Sequence, residues 1–235
     1  MQDIAHTFLL AGALIGQANP DLLEIIWLSL RVSLSAVFLS CLLGLPLGAL
    51  LAVARFPGRG AVIVLINALM GMPPVVVGLV VYLSLSRAGP LGNLGLLYTP
   101  SAMIIAQTLL IVPIVAALSR QLLEDLYQEY AEQFMSFGLT RRQQVQAILW
   151  DGRYSLFTVA LAGFGRSIAE VGAVILVGGN IEHLTRVMTT AIALETSKGN
   201  LALAMALGLI LLTLALFVNA LAAAVRLTAT SYAQR

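Results

Sequence analysis

The stretch VSLSAVFLSCLLGLPLGALLAVA, residues 32–54, contains 23 consecutive positions without a charged side chain. An α-helix rises about 1.5 Å per residue, so a run of this length can cross the hydrocarbon core of a bilayer, about 30 Å thick. Three further uncharged runs, 60–86, 88–119 and 199–225, contain 27, 32 and 27 residues. The four runs predict four membrane-spanning helices.

A fifth apolar segment, Tyr154 to Ile181, is interrupted only by Arg166 and Glu170. We interpret it as a span that carries two intramembrane charges. The whole chain, residues 1–235, is 60% hydrophobic and only 10% charged, with a mean hydropathy of +0.95. A soluble domain is about 25% charged, so this composition excludes a water-soluble globular enzyme. The prediction is an all-α polytopic integral membrane protein, a single transmembrane domain of about five helices.

Residues 1–21 are predicted to form an external or interfacial segment. The apolar stretch Phe8 to Ile15 is too short to span a bilayer, and no basic residue precedes it as in a secretory signal. We therefore expect an interfacial helix here rather than a sixth span. Asn19, Pro20 and Asp21 are expected to form the turn and cap that open the first long helix.

The basic residues indicate the orientation, because cytoplasmic loops of membrane proteins are enriched in Lys and Arg. With the N-terminus outside, eight of the 13 basic residues lie in the cytoplasm, four lie outside, and Arg166 lies in the membrane. This split predicts an N-out, C-in topology. The eight are Arg55, Arg59, Arg120, Arg141, Arg142, Arg153, Arg226 and Arg235, and the four are Arg31, Arg87, Arg186 and Lys198.

Prolines interrupt three of the predicted spans, at Pro46, at Pro73 with Pro74, and at Pro113. A proline inside a helix frees a backbone carbonyl, and in lipid that group must be satisfied by a neighbouring helix or by water in a lumen. One such kink is explained by packing alone. Three together favour helices shaped around a pathway, so these prolines are candidate helix kinks.

Most of the cytoplasmic charge lies in residues 120–153, RQLLEDLYQEYAEQFMSFGLTRRQQVQAILWDGR. Apolar residues recur at helical spacing on both sides of Gly138, and Thr140 can cap the second helix. The pattern predicts two short amphipathic helices joined at Gly138 in a left-handed conformation, although a merely structural connector fits it as well. The recurring residues are Leu122, Leu123, Leu126, Tyr130, Phe134 and Phe137 before the glycine, and Val145, Ile148 and Leu149 after it.

The spacing of Glu132, Gly138 and Ile148 in this loop resembles the EAA loop of ABC importer permeases. That motif reads EAA, three residues, Gly, nine residues and then I-x-L-P. Here residues 132–134 read EQF in place of EAA, and residues 150–151 read WD in place of L-P. The position of the loop, between the third and fourth predicted spans on the cytoplasmic side, strengthens the resemblance.

Further stretches, within roughly residues 22–226, are similar to the sulfate, molybdate and tungstate branch of these permeases, and most similar to tungstate-type permeases. They are GMPPVVVGL at 71–79, RAGPLG at 87–92, GRSIAEVGA at 165–173, VGGNI at 177–181, TRVMTTAI at 185–192 and Glu195-Thr196.

The resemblance implies a homodimer of permeases in the prokaryotic plasma (inner) membrane, joined to two cytoplasmic ATP-binding subunits and supplied by an extracytoplasmic oxyanion-binding protein. It favours tungstate as the substrate, with molybdate and sulfate as the other candidates. It also implies that the loop couples to the ATPase through Glu132, Gly138 and Ile148. We expect no cofactor in this chain. Its only lysine, Lys198, is not part of a phosphate-binding P-loop, so ATP is used by the partner subunit.

Arg166 and Glu170 are the candidate residues of a translocation pathway. They are four positions apart, a spacing that places two residues on one face of a helix. Arg166 lies about 12 residues into its span, roughly 18 Å along the axis, where a charge must be paired or face a wet cavity. The pair either neutralises its own charge, or Arg166 of each protomer offers a transient site to a dianion while Glu170 limits the affinity.

The sequence can be compared with two other classes of membrane protein. A membrane enzyme needs a nucleophile or a metal-ligand cluster, but His6 and His183 are far apart and Cys41 lies in an apolar run, so no catalytic residue or metal site is predicted. An ion-coupled secondary transporter is the alternative, because broken helices and an ionisable pair would serve it too. Many secondary transporters are built from inverted repeats, and we find no such repeat in a chain of five predicted spans. The net charge of +2 gives no indication of nucleic-acid binding.

Overall fold

The computed structural model describes residues 4–16 and 20–233, with the side chains of residues 8–16 and 20–225. These residues form helices and turns, without a β-strand among them, which confirms the all-α prediction. The helices are α1 (Ile4–Gly16), α2 (Pro20–Val53), α3 (Arg59–Met70), α4 (Pro74–Leu85), α5 (Pro100–Glu129), α6 (Ala131–Ser136), α7 (Arg141–Asp151), α8 (Arg153–Ile168), α9 (Gly172–Gly178), α10 (Met188–Ser197) and α11 (Leu201–Ala233), with a 3-10 turn at Gly92–Leu94.

Helices α2, α5 and α11 are each long and apolar enough to cross a membrane. Two helix pairs, α3 with α4 and α8 with α9, are each long and apolar enough only when taken together, and they bend by 97° and 60° at a short break. The described residues therefore supply three to five candidate spans. The predicted number of about five holds if each bent pair is one span.

The first long helix begins earlier than its uncharged run. Pro20 occupies its first position, where the missing N–H of proline has no helical partner to lose, and Asp21 lies in the first turn. Arg31, assigned to the outer loops by its position in the sequence, lies within this helix. α1 has 13 residues, fewer than the roughly 20 needed to span a bilayer. Asn19 and Arg235 lie outside the described residues.

The prediction that a separate short helix follows Arg120 is wrong, because α5 continues to Glu129. Leu122, Leu123 and Leu126 lie on this long helix rather than on a separate short one. The physical reason is continuity: no glycine or proline follows Pro113 within the helix, and Leu123 is fully buried in an apolar cluster.

The turn between α6 and α7 has the conformation that the sequence predicts. Gly138 has a φ of +61°, and the backbone N–H of Leu139 donates to the carbonyl oxygen of Phe134 at 3.1 Å, which closes α6. Gln143 Oε1 then accepts hydrogen bonds from the backbone N–H of Thr140 at 2.9 Å and from its hydroxyl at 2.8 Å. These bonds fix the start of α7. We call α6, this turn and α7 the hairpin.

The prolines occupy two different positions. Pro46 and Pro113 lie inside α2 and α5, whereas Pro73 and Pro74 lie at the break between α3 and α4. Pro73 is extended, with a φ of −61° and a ψ of 125°, and Pro74 is the first residue of α4. The predicted kink at this pair is therefore the start of a new helix, since a proline disfavours the helical conformation of the residue before it.

The chain packs as two compact units, each assembled from separate segments. The first unit contains the described parts of Met1–Ala36, Pro73–Gln107 and Gly165–Phe217. The second contains Val37–Met72, Thr108–Phe164 and the described part of Val218–Arg235.

Each unit has its own packing centre. In the first unit, α4 and α9 approach closely, because a Cβ added at Gly78 would lie 2.7 Å from the Cα of Ala173. In the second unit, Leu123 of α5, Phe134 of α6 and Ile148 of α7 belong to one buried apolar cluster. This cluster fixes the hairpin to the long helix α5.

Candidate functional site

Arg166 and Glu170 form an ion pair at the break between α8 and α9. Arg166 lies in the last turn of α8, and its Nη1 donates a hydrogen bond to Glu170 Oε2 at 2.5 Å. The expectation that both lie on one helical face is wrong, because α8 ends at Ile168. A turn keeps the carboxylate in reach, since the backbone N–H of Glu170 donates to the carbonyl oxygen of Ser167 at 3.1 Å.

The two partners differ in exposure. The side chain of Glu170 is 4% exposed, and that of Arg166 is 39% exposed. Glu170 Oε1 accepts the backbone N–H of Ala173 at 3.2 Å, in the first turn of α9. Both carboxylate oxygens are thus occupied, and of the pair only Arg166 presents its charge to the surroundings of the first unit.

Side chains from two other helices satisfy the backbone at this break. Gln107 Nε2 donates to the carbonyl oxygen of Ser167 at 3.1 Å, and Gln107 Oε1 accepts from the Ser167 hydroxyl at 2.8 Å. The Thr189 hydroxyl donates to the carbonyl oxygen of Glu170 at 2.8 Å. Such bonds are required wherever a helix is interrupted in a membrane.

Sequence reasoning did not identify Gln107 or Thr189. Gln107 carried a usable signal, because it is the one amide side chain between Pro100 and Ser119. Thr189 carried none, since threonine is common in helices that pack against others.

A cavity of about 10 Å³ adjoins the break, with Ser33, Gln107, Glu170 and Thr189 among its lining residues. This volume is about what one water molecule needs, and ligand pockets are usually at least about 300 Å³. The cavity is therefore too small for an oxyanion.

The three residues matched to the EAA motif all lie on the hairpin, in three different environments. Ile148 is fully buried in the cluster with Leu123 and Phe134. Gly138 is the left-handed turn, and no atom lies within 4 Å of a Cβ added there. Glu132 is exposed on α6. Burial of Ile148 and the turn at Gly138 thus shape the hairpin, and Glu132 is available on its surface.

Sequence periodicity assigned Phe137 to the apolar face of a helix, but the structure exposes it. Met135 and Phe137 on α6 and its end, together with Trp150 on α7, are all largely exposed. Large apolar side chains exposed on one short structural element are typical of interaction surfaces. The hairpin therefore offers apolar contacts to a partner.

Tyr130 and Asp151 connect the two ends of the hairpin. The Tyr130 hydroxyl donates to the Asp151 carboxylate at 2.7 Å. This hydrogen bond, followed by partial burial, raises the pKa of Tyr130 to about 12. Asp151 stands where the EAA motif has its proline, so this departure from the motif introduces a bond between the hairpin and the end of α5.

A second cluster of charges surrounds a cavity of about 220 Å³ in the first unit. Two ion pairs line it, Arg186 with Glu182 at 2.8 Å and Lys198 with Glu195 at 2.9 Å, together with a hydrogen bond of 2.8 Å between His183 and Glu24. The hydrogen bond that Glu24 accepts from His183 raises the pKa of His183, and the hydrogen bond from Lys198 lowers the pKa of Glu195. The predicted outer residues Arg186 and Lys198 thus have acidic partners.

Comparison with known proteins supports the resemblance. Residues 44–227 match the family described as binding-protein-dependent transport system inner membrane component. A probable anion ABC transporter permease protein of Haloferax volcanii is 44% identical over 87% of this chain and 90% of the relative. The tungstate uptake system permease protein TupB of Peptoclostridium acidaminophilum is 40% identical over 94% of this chain and 96% of the relative. The sulfate transport system permease protein CysW of Escherichia coli K12 is 31% identical over 72% of this chain and 60% of the relative.

The family match covers α3 to α10 whole, the hairpin included, and parts of α2 and α11. The candidate spans agree with a multi-pass protein of the inner membrane. The chain therefore belongs to the binding-protein-dependent inner membrane components, the permease subunits of ABC transporters, in the branch that contains tungstate, sulfate and molybdate permeases.

Proposed function

We propose that the chain is the permease of an ATP-driven importer that moves tungstate from an extracytoplasmic binding protein into the cytoplasm. Two tungstate uptake permeases are each 40% identical to it, whereas a sulfate permease is 31% identical. Molybdate and sulfate are the other oxyanions that this branch carries by name. In the proposal the permease works as a homodimer with its N-terminus outside.

The observation that carries the proposal is the partly exposed side chain of Arg166, held by Glu170 at the break of a span. Arginine presents five N–H donors in a planar fork, a geometry that suits oxyanions, and Glu170 takes one of them. The buried carboxylate also offsets the positive charge. A passing dianion is then attracted by the remaining donors without being held too tightly to leave, as conduction requires.

The hairpin is proposed to dock onto the ATP-binding subunit. Its exposed residues Met135, Phe137 and Trp150 supply apolar contacts, while the buried Ile148 anchors it beside Leu123 of α5. Movement of the ATPase surface would therefore be transmitted to a candidate span rather than absorbed by a loose linker.

The C-terminal part of α5 is bonded to its neighbours within the second unit. Arg59 Nη2 donates to Glu124 Oε1 at 2.6 Å, Arg59 Nε donates to the carbonyl oxygen of Leu51 at 2.8 Å, and Arg120 pairs with the other oxygen of Glu124. These bonds tie α5 to the end of α2 and the start of α3. Because of these bonds, α5, the end of α2 and the start of α3 would move together when the hairpin is displaced.

The energy source is proposed to lie in the partner subunit. The sequence has no P-loop, and its lysine count of one leaves no second candidate for the phosphate-binding position. We therefore expect the chain to carry no cofactor and no catalytic activity of its own. ATP would be hydrolysed by the two attached subunits.

Calorimetry on the extracytoplasmic binding protein that supplies this permease tests the substrate. Tungstate, molybdate and sulfate are titrated separately, because selectivity in this arrangement lies in the binding protein. We expect tungstate to bind most tightly, and uptake by the reconstituted transporter to follow the same order. Tighter binding of sulfate, with sulfate uptake, would refute the choice of tungstate while leaving the permease role intact.

A further inference from the structure

An apolar groove of about 620 Å³ lies between α2 and α7 in the second unit. Phe38, Leu42 and Leu45 line it from α2, and Val145 and Leu149 line it from α7. Cys41 also faces it, as a small apolar side chain. The lining presents no charged side chain and no strong hydrogen-bonding side chain, so a polar ligand would lose its hydrogen bonds to water without replacing them.

The position of the groove favours hydrocarbon as its occupant. α2 is a candidate span, and Phe38 and Leu42 are 68% and 60% exposed in this chain. Both lie in the uncharged run of residues 32–54. A groove beside a candidate span would face acyl chains, and its volume is within the range of small-molecule sites, about 300–1,000 Å³.

A cationic edge adjoins this hydrocarbon site. Arg141 and Arg142 begin α7, and Arg142 is three residues before Val145 and seven before Leu149, so the three share a helix face. Both arginines are exposed, and among the described residues neither forms a salt bridge. Arg59 and Arg120 of the same unit are each paired with Glu124.

We propose that this groove and its two arginines form a binding site for one anionic phospholipid. An acyl chain fills the groove between α2 and α7, and the headgroup phosphate binds Arg141 and Arg142 at the membrane surface. Arginine beside a membrane surface attracts anionic lipids, and the apolar lining accounts for the tail. The site requires neither a particular substrate nor a particular direction of transport.

The lipid would stabilise the hairpin. Val145 and Leu149 line the groove and also pack against the cluster that contains Ile148. A bound chain would therefore extend the apolar contacts that hold α7 against α2. Loss of the lipid is expected to loosen the hairpin. Coupling to the ATPase would therefore depend on which lipid headgroups the bilayer contains.

Native mass spectrometry of the detergent-purified permease, titrated with phosphatidylglycerol and with phosphatidylcholine, tests the site. We expect one phosphatidylglycerol to be retained at concentrations where phosphatidylcholine is not. The double change Arg141→Gln with Arg142→Gln should reduce the preference for the anionic lipid by roughly 10- to 30-fold, since each arginine near a charged surface contributes roughly fivefold. Arg87→Gln, an exposed arginine of the first unit, is the matched control and should leave the preference unchanged.

A second variant tests the groove itself. Leu42→Trp, at an exposed position of α2, should fill the groove and remove lipid of either headgroup, whereas Leu212→Trp, at an exposed position of α11, should not. The measurement on the unmodified protein keeps the test valid if a variant fails to fold. Equal retention of both lipids would overturn the proposal.

Two further results would also overturn it by naming another occupant. A cross-link between the Cys41 residues of two copies, lost together with the dimer in Leu42→Trp, would assign the groove to a second copy of the chain. Loss of ATPase binding in the double arginine variant, with lipid preference unchanged, would assign the arginines to the ATPase.

Discussion

Glu170 is buried and Arg166 is exposed, although one hydrogen bond of 2.5 Å joins them. The carboxylate is held from the other side by the N–H of Ala173, so its position is set by the protein, and the guanidinium is oriented by the carboxylate. A fixed, partly neutralised cation at a span break is a means to attract a dianion weakly. This difference in exposure between the partners is what we expect of the proposed pathway, and the variants below test it.

Replacing Arg166 should stop transport without disrupting assembly. We predict that Arg166→Gln lowers oxyanion uptake by roughly tenfold or more, because a hydrogen bond to a charged group contributes about 1.5–3 kcal/mol. Uptake by reconstituted transporters and co-purification of the ATPase are the measurements. Arg87→Gln is the control and should transport normally.

The double change Arg166→Gln with Glu170→Gln distinguishes the two roles of the pair. If Arg166 contacts the anion, removing both charges leaves uptake as low as in the single variant. Recovery of transport in the double variant would mean that the pair only neutralises itself, and the pathway assignment would fail.

Substitutions at Gly138 should affect coupling according to whether the new residue tolerates a positive φ, rather than according to its size. Its φ of +61° is unfavourable for residues with a Cβ by about 1–2 kcal/mol, and more so for β-branched ones, yet no atom would obstruct the Cβ. We predict that Gly138→Val leaves the permease in the membrane but detaches the ATPase or uncouples hydrolysis from transport. Gly138→Asn, which tolerates the left-handed region, should retain most coupling; normal uptake in the valine variant would contradict the role of the turn.

Hydrophobic length made the spans predictable. α2, α5 and α11 each contain a long uncharged run, because only such runs satisfy the interior of a bilayer. The turn at Gly138 was predictable for an equally local reason, the left-handed conformation that glycine favours. In contrast, the charges of residues 120–129 suggested that the long helix had already ended. Because Glu, Gln and Leu are good helix formers, α5 continues through these residues.

The surroundings of Glu170 could not be predicted. Spacing along the sequence describes neighbours on one helix, but Gln107 is 60 positions from its partner Ser167, and Thr189 is 19 from Glu170. The burial of the carboxylate depends on these contacts. The break at Pro73 was only partly predictable, since a proline pair marks an interruption but does not say whether the helix kinks or restarts.

The Tyr130–Asp151 bond predicts a pH dependence for the hairpin. Because the pKa of Tyr130 is raised to about 12 from 10.0, the neutral phenol is favoured in the folded protein. The stabilisation from this bond, about 1 kcal/mol, is fully present below pH 10 and is lost as the pH rises through about 12. Ultraviolet titration should find that Asp151→Asn returns one tyrosine toward pH 10, and Tyr130→Phe should remove that transition. An unchanged titration in Asp151→Asn would show that the bond does not form in solution.

The topology can be tested at an exposed residue of the first unit. In a Cys41→Ser background, a cysteine at Glu182 should react with an impermeant thiol reagent added outside intact cells, since the Glu182 side chain is largely exposed. A cysteine at Ser136 on the hairpin should react only after the membrane is opened. The opposite pattern would reverse the orientation.

The source of energy tests the importer most directly. Tungstate uptake is measured in proteoliposomes that contain the permease with its ATP-binding subunits, with binding protein outside, with and without internal ATP, while the ion gradients are held constant. An ABC importer should accumulate tungstate only with ATP, and Gly138→Val should abolish the accumulation. Uptake that persists without ATP and follows an imposed ion gradient would identify an ion-coupled secondary transporter and contradict the proposed mechanism.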